Sequence, residues 1–222
     1  MKKIDRNDIE DQLKKVTNCN DEPRKDSKKI YYSAYKNAEK ALEKLIKKFP
    51  GNKSLDEIYL KVTAINSLYS TNIYDTYKMA YHIFKRVNEK KEEDIDARLE
   101  KTDLDHELIH DIATGHEIKR SEGGKPMVFY SFATKYCSFH KPEKYAIYDT
   151  LIQSRLIKHY NENIAKPKKE KKVRYEDLRE YERFMEVVNE VKKHYRLDDI
   201  SLKEFDMYLW LTAKEELSSE VL

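Results

Sequence analysis

Lys135 and Asp149 are the two residues whose types and spacing best suit chemistry. Residues 129–140 have the spacing of a helix, whose apolar stripe is Phe129, Phe132, Ala133, Tyr136, Cys137 and His140. At about 100° per residue, Lys135 lies well over 90° from the centre of that stripe, so we expect its amine to point away from the core, into solvent or into a groove. Asp149 follows the apolar stretch 145–148 and is predicted to be the N-cap of the next helix, a position that favours the ionised carboxylate.

A lysine and an aspartate arranged in this way suit the cleavage of an N-glycosidic bond. A lysine amine can attack an electrophilic sugar carbon once part of its population has lost the proton, and burial or nearby positive charge promotes that loss. A neighbouring carboxylate can activate the amine or stabilise the positive charge that develops on the sugar. The pair must lie within about 10 Å, because a larger separation exceeds hydrogen-bond or one-water reach.

The composition favours an intracellular helical protein. Of 222 residues, 39% are hydrophobic and 38% are charged, with 44 Lys and Arg against 41 Asp and Glu. Two cysteines argue against a disulfide framework, a four-Cys zinc site and a Cys-ligated iron–sulfur cluster. The sequence has neither a membrane-length apolar run nor a signal-type apolar core after Met1, so we expect a soluble cytoplasmic protein. We also expect no cofactor and no metal.

The elements that must position Lys135 and Asp149 are predicted to be helices. Four glycines allow few tight turns, and apolar spacing predicts helices at 34–49, from 54 onward, 73–87, 126–140, 150–160, 175–194 and 201–217. Ser54 and Glu57 form a capping-box signature at the start of the second of these helices. We predict an all-α fold: a charged N-terminal segment over 1–30, then one domain over 31–222 with two helical lobes flanking a groove.

Charge is unevenly distributed along the chain. The stretch 92–111 carries nine acids and is predicted to form one or two solvated helices with Leu104, Leu108 and Ile112 inward, facing away from any DNA. The stretch 119–144 has a local charge of +4, and 166–174 holds six cations and one acid. We interpret 166–174 as a basic linker, which could alternatively grip backbone phosphates. His106 and His110 have the spacing of metal ligands but lack a convincing third ligand.

The region around Lys135 resembles the helix-hairpin-helix DNA glycosylase superfamily, and most closely its archaeal-type 8-oxoguanine glycosylase branch. The resemblance rests on Thr134-Lys135 within a helix and on Asp149 opening the next helix. It implies that Lys135 forms a Schiff base with deoxyribose and that Asp149 assists. It also implies that Phe139, four residues after the lysine, stacks on the flipped base, which Asp206 and Trp210 of a C-terminal helix would also contact. Spacing of four places Asp206 and Trp210 on one helix face.

Further residues are assigned to DNA by the same resemblance. The segment 65–72 resembles the part of these enzymes that fills the DNA opposite the extruded nucleotide, with Asn66, Tyr69, Thr71 and Asn72 as contacts. Ser131-Phe132-Ala133 stands where the family hairpin has Gly-x-Gly before the lysine, and Ser131, Lys125 and Lys144 are predicted to contact the backbone. The loss of both glycines and the short separation between Lys135 and Asp149 depart from the family pattern.

These observations and the resemblance predict a monomeric DNA glycosylase that acts on duplex DNA and is associated with a bacterial or archaeal nucleoid. It would excise oxidised guanine or another modified base, a phage-type base included, with abasic-site lyase activity if the Schiff base undergoes β-elimination. Two alternatives remain: a nucleic-acid-binding module on the same fold without chemistry, and a helical protein-interaction domain. Each site residue also has a purely structural interpretation, since Asp149 could only cap a helix, Phe139 and Trp210 could be core residues, and Asn66 and Thr71 could simply end a helix.

Overall fold

The computed structural model describes residues 3–19, 27–88, 93–115 and 118–220, and these are predominantly helical. The predicted all-α class is therefore confirmed. The only extended pairing within these ranges is an isolated antiparallel bridge between Lys119 and Pro126. Residues 1–2 and 20–26 of the predicted N-terminal segment, and Glu92 of the acidic stretch, lie outside the described ranges. Among described residues, no helix is long and apolar enough to cross a membrane.

The chain divides into two compact units. Unit 1 consists of residues 1–37 and 146–222, and unit 2 of residues 38–145. Unit 1 contains α1 (Arg6–Thr17), the start of α2 (Ser27–Lys48), α8 (Thr150–Tyr160), a π-helix (Asn161–Ala165), α9 (Lys166–Lys168), a 3-10 turn (Asp177–Arg179), α10 (Tyr181–His194) and α11 (Leu202–Glu220). In this unit α11 packs against α1 and α8, and α10 packs against α8.

Unit 2 contains the remainder of α2 and the helices that carry Lys135. These are α3 (Leu55–Tyr69), α4 (Thr76–Tyr81) with a π-helix (His82–Val87), α5 (Ile95–Glu100), α6 (His106–Ala113) and α7 (Tyr130–His140). Helix α3 packs against α4 and α7, and α6 packs against α7. The buried core residues Ile65, Ile112 and Phe132 come from three of these helices and are fully excluded from water.

Aspartate caps start most of the short helices. The carboxylates of Asp5, Asp75, Asp94, Asp105 and Asp149 each accept a backbone N–H from the first turn of α1, α4, α5, α6 and α8. This satisfies donors that have no partner within the helix. The predicted capping box is wrong in detail: α3 does begin after Ser54, but the Ser54 hydroxyl bonds the Asp56 carboxylate instead of a backbone N–H.

The structure also corrects several predicted boundaries. Helix α2 begins at Ser27 instead of 34, and α4 begins at Thr76 instead of 73. Helix α7 begins at Tyr130 instead of 126, because residues 118–127 form a hairpin in which the Met127 N–H donates to the Ile118 carbonyl. Helix α10 begins at Tyr181 instead of 175, after the 3-10 turn. The basic linker starts as helix, since Lys166–Lys168 continue from α8 through the π-helix before Lys169 turns left-handed.

The acidic stretch is less solvated than its composition suggests. It does form two helices, α5 and α6, and Leu108 and Ile112 are buried as predicted. However, Arg98 is completely buried and makes ion pairs with Asp105 at 2.8 Å and Asp111 at 2.9 Å. Two of the predicted surface acids therefore neutralise an internal arginine, which a count of charges along the chain does not show.

A buried lysine fixes the loop between α2 and α3. The Lys61 amine donates to the Gly51 carbonyl at 2.7 Å and to the Asn52 side-chain oxygen at 2.8 Å. It also lies 3.5 Å from Nε2 of His140. Burial, reinforced by Lys61 and Lys141, lowers the pKa of His140 to about 3. The imidazole is therefore neutral at physiological pH and can accept a hydrogen bond from Lys61.

We expect His140 to make the protein sensitive to acid. The unfolded chain protonates this histidine below its ordinary pKa of 6.5, whereas the folded state resists protonation until about pH 3. The free energy of unfolding should therefore fall as the pH drops from about 6.5 towards 3. Urea unfolding at pH 7 and pH 4.5 should show a smaller loss in His140→Gln, which retains an acceptor for Lys61. The exposed His194 on α10 supplies the control, and equal pH dependence in wild type and His140→Gln would contradict this account.

Candidate functional site

Lys135 is buried in the middle of α7. Only 2% of the residue is exposed, and its amine donates a 2.7 Å hydrogen bond to the hydroxyl of Ser131, one turn earlier on the same helix. The amine therefore does not point into solvent, which was one of the two directions expected for it. The helical wheel identified only the apolar side of α7. The opposite side of this helix is also covered by the rest of unit 2, since Thr134 and Ser138 are buried as well.

Aromatic side chains from α3 and α7 lie around the lysine. The Lys135 amine is 5.7 Å from the centre of the Tyr69 ring, within the range of a cation–π contact. The Tyr69 ring in turn lies 5.7 Å from that of Phe139, and its hydroxyl donates to the carboxylate of the buried Glu39. Four predicted site residues, Lys135, Ser131, Tyr69 and Phe139, thus come together in unit 2.

Asn66 shapes the segment that was assigned to the DNA opposite the extruded base. Its side-chain oxygen accepts from the Thr71 hydroxyl and from the Ile73 N–H, both at 2.9 Å, while its amide donates to the Ile73 carbonyl. Ser70 and Asn72 have positive φ angles of 49° and 59°. The end of α3 is therefore a tightly tied turn that presents Asn72 at the surface, and Asn66 and Thr71 hold its shape.

The other residues of unit 2 that were predicted to contact DNA have three different structural settings. Ser131 lies in the first turn of α7, and its hydroxyl is bonded to Lys135. Lys144 is half-buried and donates to the carbonyls of Leu99 and Lys101 at the end of α5. Lys125 is exposed on the 118–127 hairpin. Residues 114–129 separate α6 from α7, so Lys135 does not follow a short helix-to-helix hairpin, unlike in the family pattern.

Asp149 belongs to unit 1, where it caps α8 as the sequence predicts. It is half-buried, has an extended backbone, and accepts the Leu151 N–H at 3.0 Å. The strand-like residues before it are anchored by the same unit. The Ile147 N–H donates to Asp206 at 2.8 Å, and the Tyr181 hydroxyl donates to the Ala146 carbonyl at 3.0 Å. Asp206 thereby fixes the chain two residues before Asp149.

The two residues assigned to base recognition on α11 differ in their surroundings. Asp206 is 3% exposed and bonds the backbone just described. Trp210 is half-buried and stacks on Tyr35, with ring centres 4.8 Å apart, beside a cluster formed by Val16, Tyr32 and Leu211. The Lys214 amine lies 5.5 Å from the Trp210 ring. The spacing of four does place both residues on α11, but each has a packing role within unit 1.

Among described residues, no group of three or more His, Cys, Asp and Glu side chains is placed to hold a metal ion. His106 and His110 lie on α6 as their spacing predicts. The Cys137 thiol is fully buried, and burial raises its pKa well above the ordinary value. This cysteine is therefore a core residue and does not supply a thiolate.

Comparison with known proteins identifies one family. Residues 8–144 match the family HI_0787_N, described as an N-terminal domain, over more than half of the chain. The chain belongs to this family. The matched segment contains Lys135, Ser131, Tyr69 and Phe139, whereas Asp149 and α11 lie beyond it. The segment of this chain that matches the family therefore contains the buried lysine and its neighbours.

A Haemophilus influenzae protein described as "Uncharacterized protein" is 36% identical to the chain over 150 residues. The match covers 68% of this chain and 63% of that relative, so the chain spans less than two thirds of the relative's length. No solved structure matches the chain.

Ser131 was predicted to contact DNA, but neither its bond to Lys135 nor the presence of Glu39 beside Tyr69 was predicted. The role of Ser131 was detectable, because a serine four residues before a lysine lies on the same helix face. Glu39 carries no such signal, since it lies on α2, thirty residues from Tyr69. Only packing brings the two together.

Proposed function

We propose that this HI_0787_N protein is a DNA glycosylase in which Lys135 is the nucleophile and Asp149 assists. The observation that carries the proposal is the environment of Lys135. Its amine is removed from water, donates to a neutral hydroxyl and lies against an aromatic ring, a setting in which a lysine can serve as a nucleophile. Lys61 is buried in a similar way, so it is the resemblance that singles out Lys135. The resemblance around Thr134-Lys135 and Asp149 supplies the reaction type.

The proposed reaction consumes a modified nucleotide extruded from duplex DNA. The Lys135 nitrogen forms a bond to C1′, the N-glycosidic bond breaks, and the base leaves with its bonding electron pair and takes up a proton. The sugar ring then opens to give a Schiff base, which water hydrolyses or which undergoes β-elimination. The Asp149 carboxylate stabilises positive charge on the sugar as the base departs. Oxidised guanine is the leading substrate.

Replacing Asp149 by asparagine should slow base release by about a hundredfold, because the charge that stabilises the sugar is lost while the N-cap is kept. The measurement is single-turnover release from duplexes carrying 8-oxoguanine and a panel of other modified bases. Asp5→Asn is the matched control, since Asp5 caps α1 in the same unit. Release at the wild-type rate in Asp149→Asn would remove Asp149 from the mechanism. No release from any duplex by wild type would overturn the proposed function.

Replacing Ser131 by alanine should slow turnover by about tenfold with unchanged DNA affinity. The Ser131 hydroxyl holds the Lys135 amine at 2.7 Å, and misplacement of a nucleophile costs rate instead of binding. Ser131→Thr, which keeps a hydroxyl, should recover most of the activity. Equal rates for Ser131→Ala and wild type would show that the amine needs no such support.

One observation favours the alternative of nucleic-acid binding without chemistry. Asp206 and Trp210, to which the resemblance assigns base recognition, bond the backbone and stack on Tyr35 within unit 1. A binding module would retain every measurable function in Lys135→Gln, whereas the glycosylase would lose excision. That variant therefore discriminates between the two functions.

A further inference from the structure

Four exposed tyrosines of unit 2 lie on or next to α3 and α4, and we call them the tyrosine face: Tyr59, Tyr74, Tyr77 and Tyr81. Their exposed fractions run from 40% for Tyr59 to 57% for Tyr74. Tyr77 and Tyr81 are four residues apart and share one face of α4, and Tyr74 lies just before that helix. Tyr59 of α3 joins them, because its ring meets that of Tyr77 edge-to-face with centres 5.6 Å apart.

A basic hairpin borders the tyrosine face. Residues 118–127 form this hairpin, held by the Lys119 to Pro126 bridge and by the Met127 N–H bond to Ile118. Its exposed cations are Lys119, Arg120 and Lys125, against Glu122 alone. Arg120 joins the two surfaces directly, since its Nε donates to the Tyr74 hydroxyl at 3.1 Å. Aromatic rings and positive charge therefore occur together.

The proposed reaction does not use this surface, and core packing does not require it. Rings buried for stability are shielded from water, as the fully buried Tyr136 and Tyr145 of the same unit are. The four rings of the tyrosine face leave about half of their area open, and their cationic border attracts a polyanion. Exposed aromatic side chains beside cations are the combination with which proteins hold unpaired nucleic acid strands, with bases stacking on rings and phosphates lying near cations.

We propose that the tyrosine face and the 118–127 hairpin form a binding surface for single-stranded DNA. Bases stack on Tyr74 and Tyr77, and Arg120 contacts the adjoining phosphates. A duplex hides its base faces within the stack, so protruding rings select a strand whose bases are unpaired. The choice of DNA over RNA rests on the proposed function, whereas the preference for an unpaired strand rests on the surface itself.

The test is fluorescence anisotropy with a labelled, unmodified 20-nucleotide thymidine strand. The double variant Tyr74→Ala/Tyr77→Ala should bind at least about tenfold more weakly than wild type. Tyr77→Phe, which keeps the ring, should bind within about twofold of wild type. Tyr175→Ala is the matched control, because Tyr175 is 49% exposed and lies beside the basic segment 166–174 in unit 1. Arg120→Gln should make the slope of log affinity against log salt concentration shallower, by the amount expected for the loss of about one phosphate contact.

Wild-type affinity in the double variant, no binding by wild type, or tighter binding of duplex or of an RNA strand would each overturn the proposal. Thermal unfolding of the double variant checks that the fold is retained. We expect it to be retained because both substitutions are at exposed positions. The assay needs no excised base, so its outcome is separate from that of the proposed function. Lys135→Gln should bind the single strand as wild type does, even though it cannot excise.

Discussion

Lys135→Gln should lose base excision by a factor of about a thousand or more while binding DNA within about twofold of wild type. Glutamine is shorter and uncharged but can still bond the Ser131 hydroxyl, so the helix keeps its local contact while the nucleophile is gone. The loss should appear in the single-turnover rate instead of in the dissociation constant, because the amine acts on the bond being broken. Gel-based base release and anisotropy with the same duplex measure the two quantities.

Lys61→Gln is the matched control for this substitution. Lys61 belongs to the same unit, is completely buried, and donates to the Gly51 carbonyl and the Asn52 side-chain oxygen, so its role is to hold the loop between α2 and α3. It should keep its excision rate within a few-fold of wild type while losing some stability. If Lys135→Gln excises at the wild-type rate, the lysine is structural and the alternative of a binding module is preferred.

Arg98→Met should lower the free energy of unfolding by about 3–5 kcal/mol. Arg98 is completely buried, and its removal leaves the carboxylates of Asp105 and Asp111 in the core without their arginine. Burial alone would raise the pKa of Asp105, but hydrogen bonds from Arg98 and the Leu108 N–H outweigh it and lower the pKa to about 2. Urea unfolding at pH 7 measures the loss directly.

A partly exposed arginine gives the contrast. Arg183 on α10 pairs with Glu186 at 2.7 Å but remains one third exposed, so Arg183→Met should cost less than about 1 kcal/mol. In wild type, the stability that Asp105 contributes should be present above its ordinary pKa of 3.8 and lost as the pH falls through about 2. Equal destabilisation by Arg98→Met and Arg183→Met would contradict the assigned role of the buried network.

Local signals predicted that most of the helices exist, and they predicted the starts of α3, α8 and α11 to within one residue. The Asp149 cap followed from residue type at a helix start, and the all-α class followed from apolar spacing, because both depend on contacts within a few residues. The start of α7 was missed by four residues, since the 118–127 hairpin depends on a bond between Ile118 and Met127 that no helical period records. The predicted Ser54 cap is absent because the Ser54 hydroxyl bonds the Asp56 carboxylate instead.

The candidate site was harder to predict, since burial is a property of the assembled unit. A wheel of α7 alone separates Lys135 from the apolar stripe, yet neighbouring elements enclose that side of the helix too. The same limit applies to Arg98, which sequence reasoning placed among solvated acids. Asp206 was correctly placed on a C-terminal helix, but its bond to the Ile147 N–H joins residues 59 apart and has no local signature.

Borohydride trapping tests the central claim most directly. Wild-type protein and Lys135→Gln would be incubated with a duplex carrying a preformed abasic site, reduced, and digested for mass spectrometry. The account predicts a covalent adduct in wild type, located on the peptide that contains Lys135, and none in the variant. An adduct of equal yield in Lys135→Gln, or no adduct in wild type, would contradict the assignment of Lys135 as a Schiff-base nucleophile.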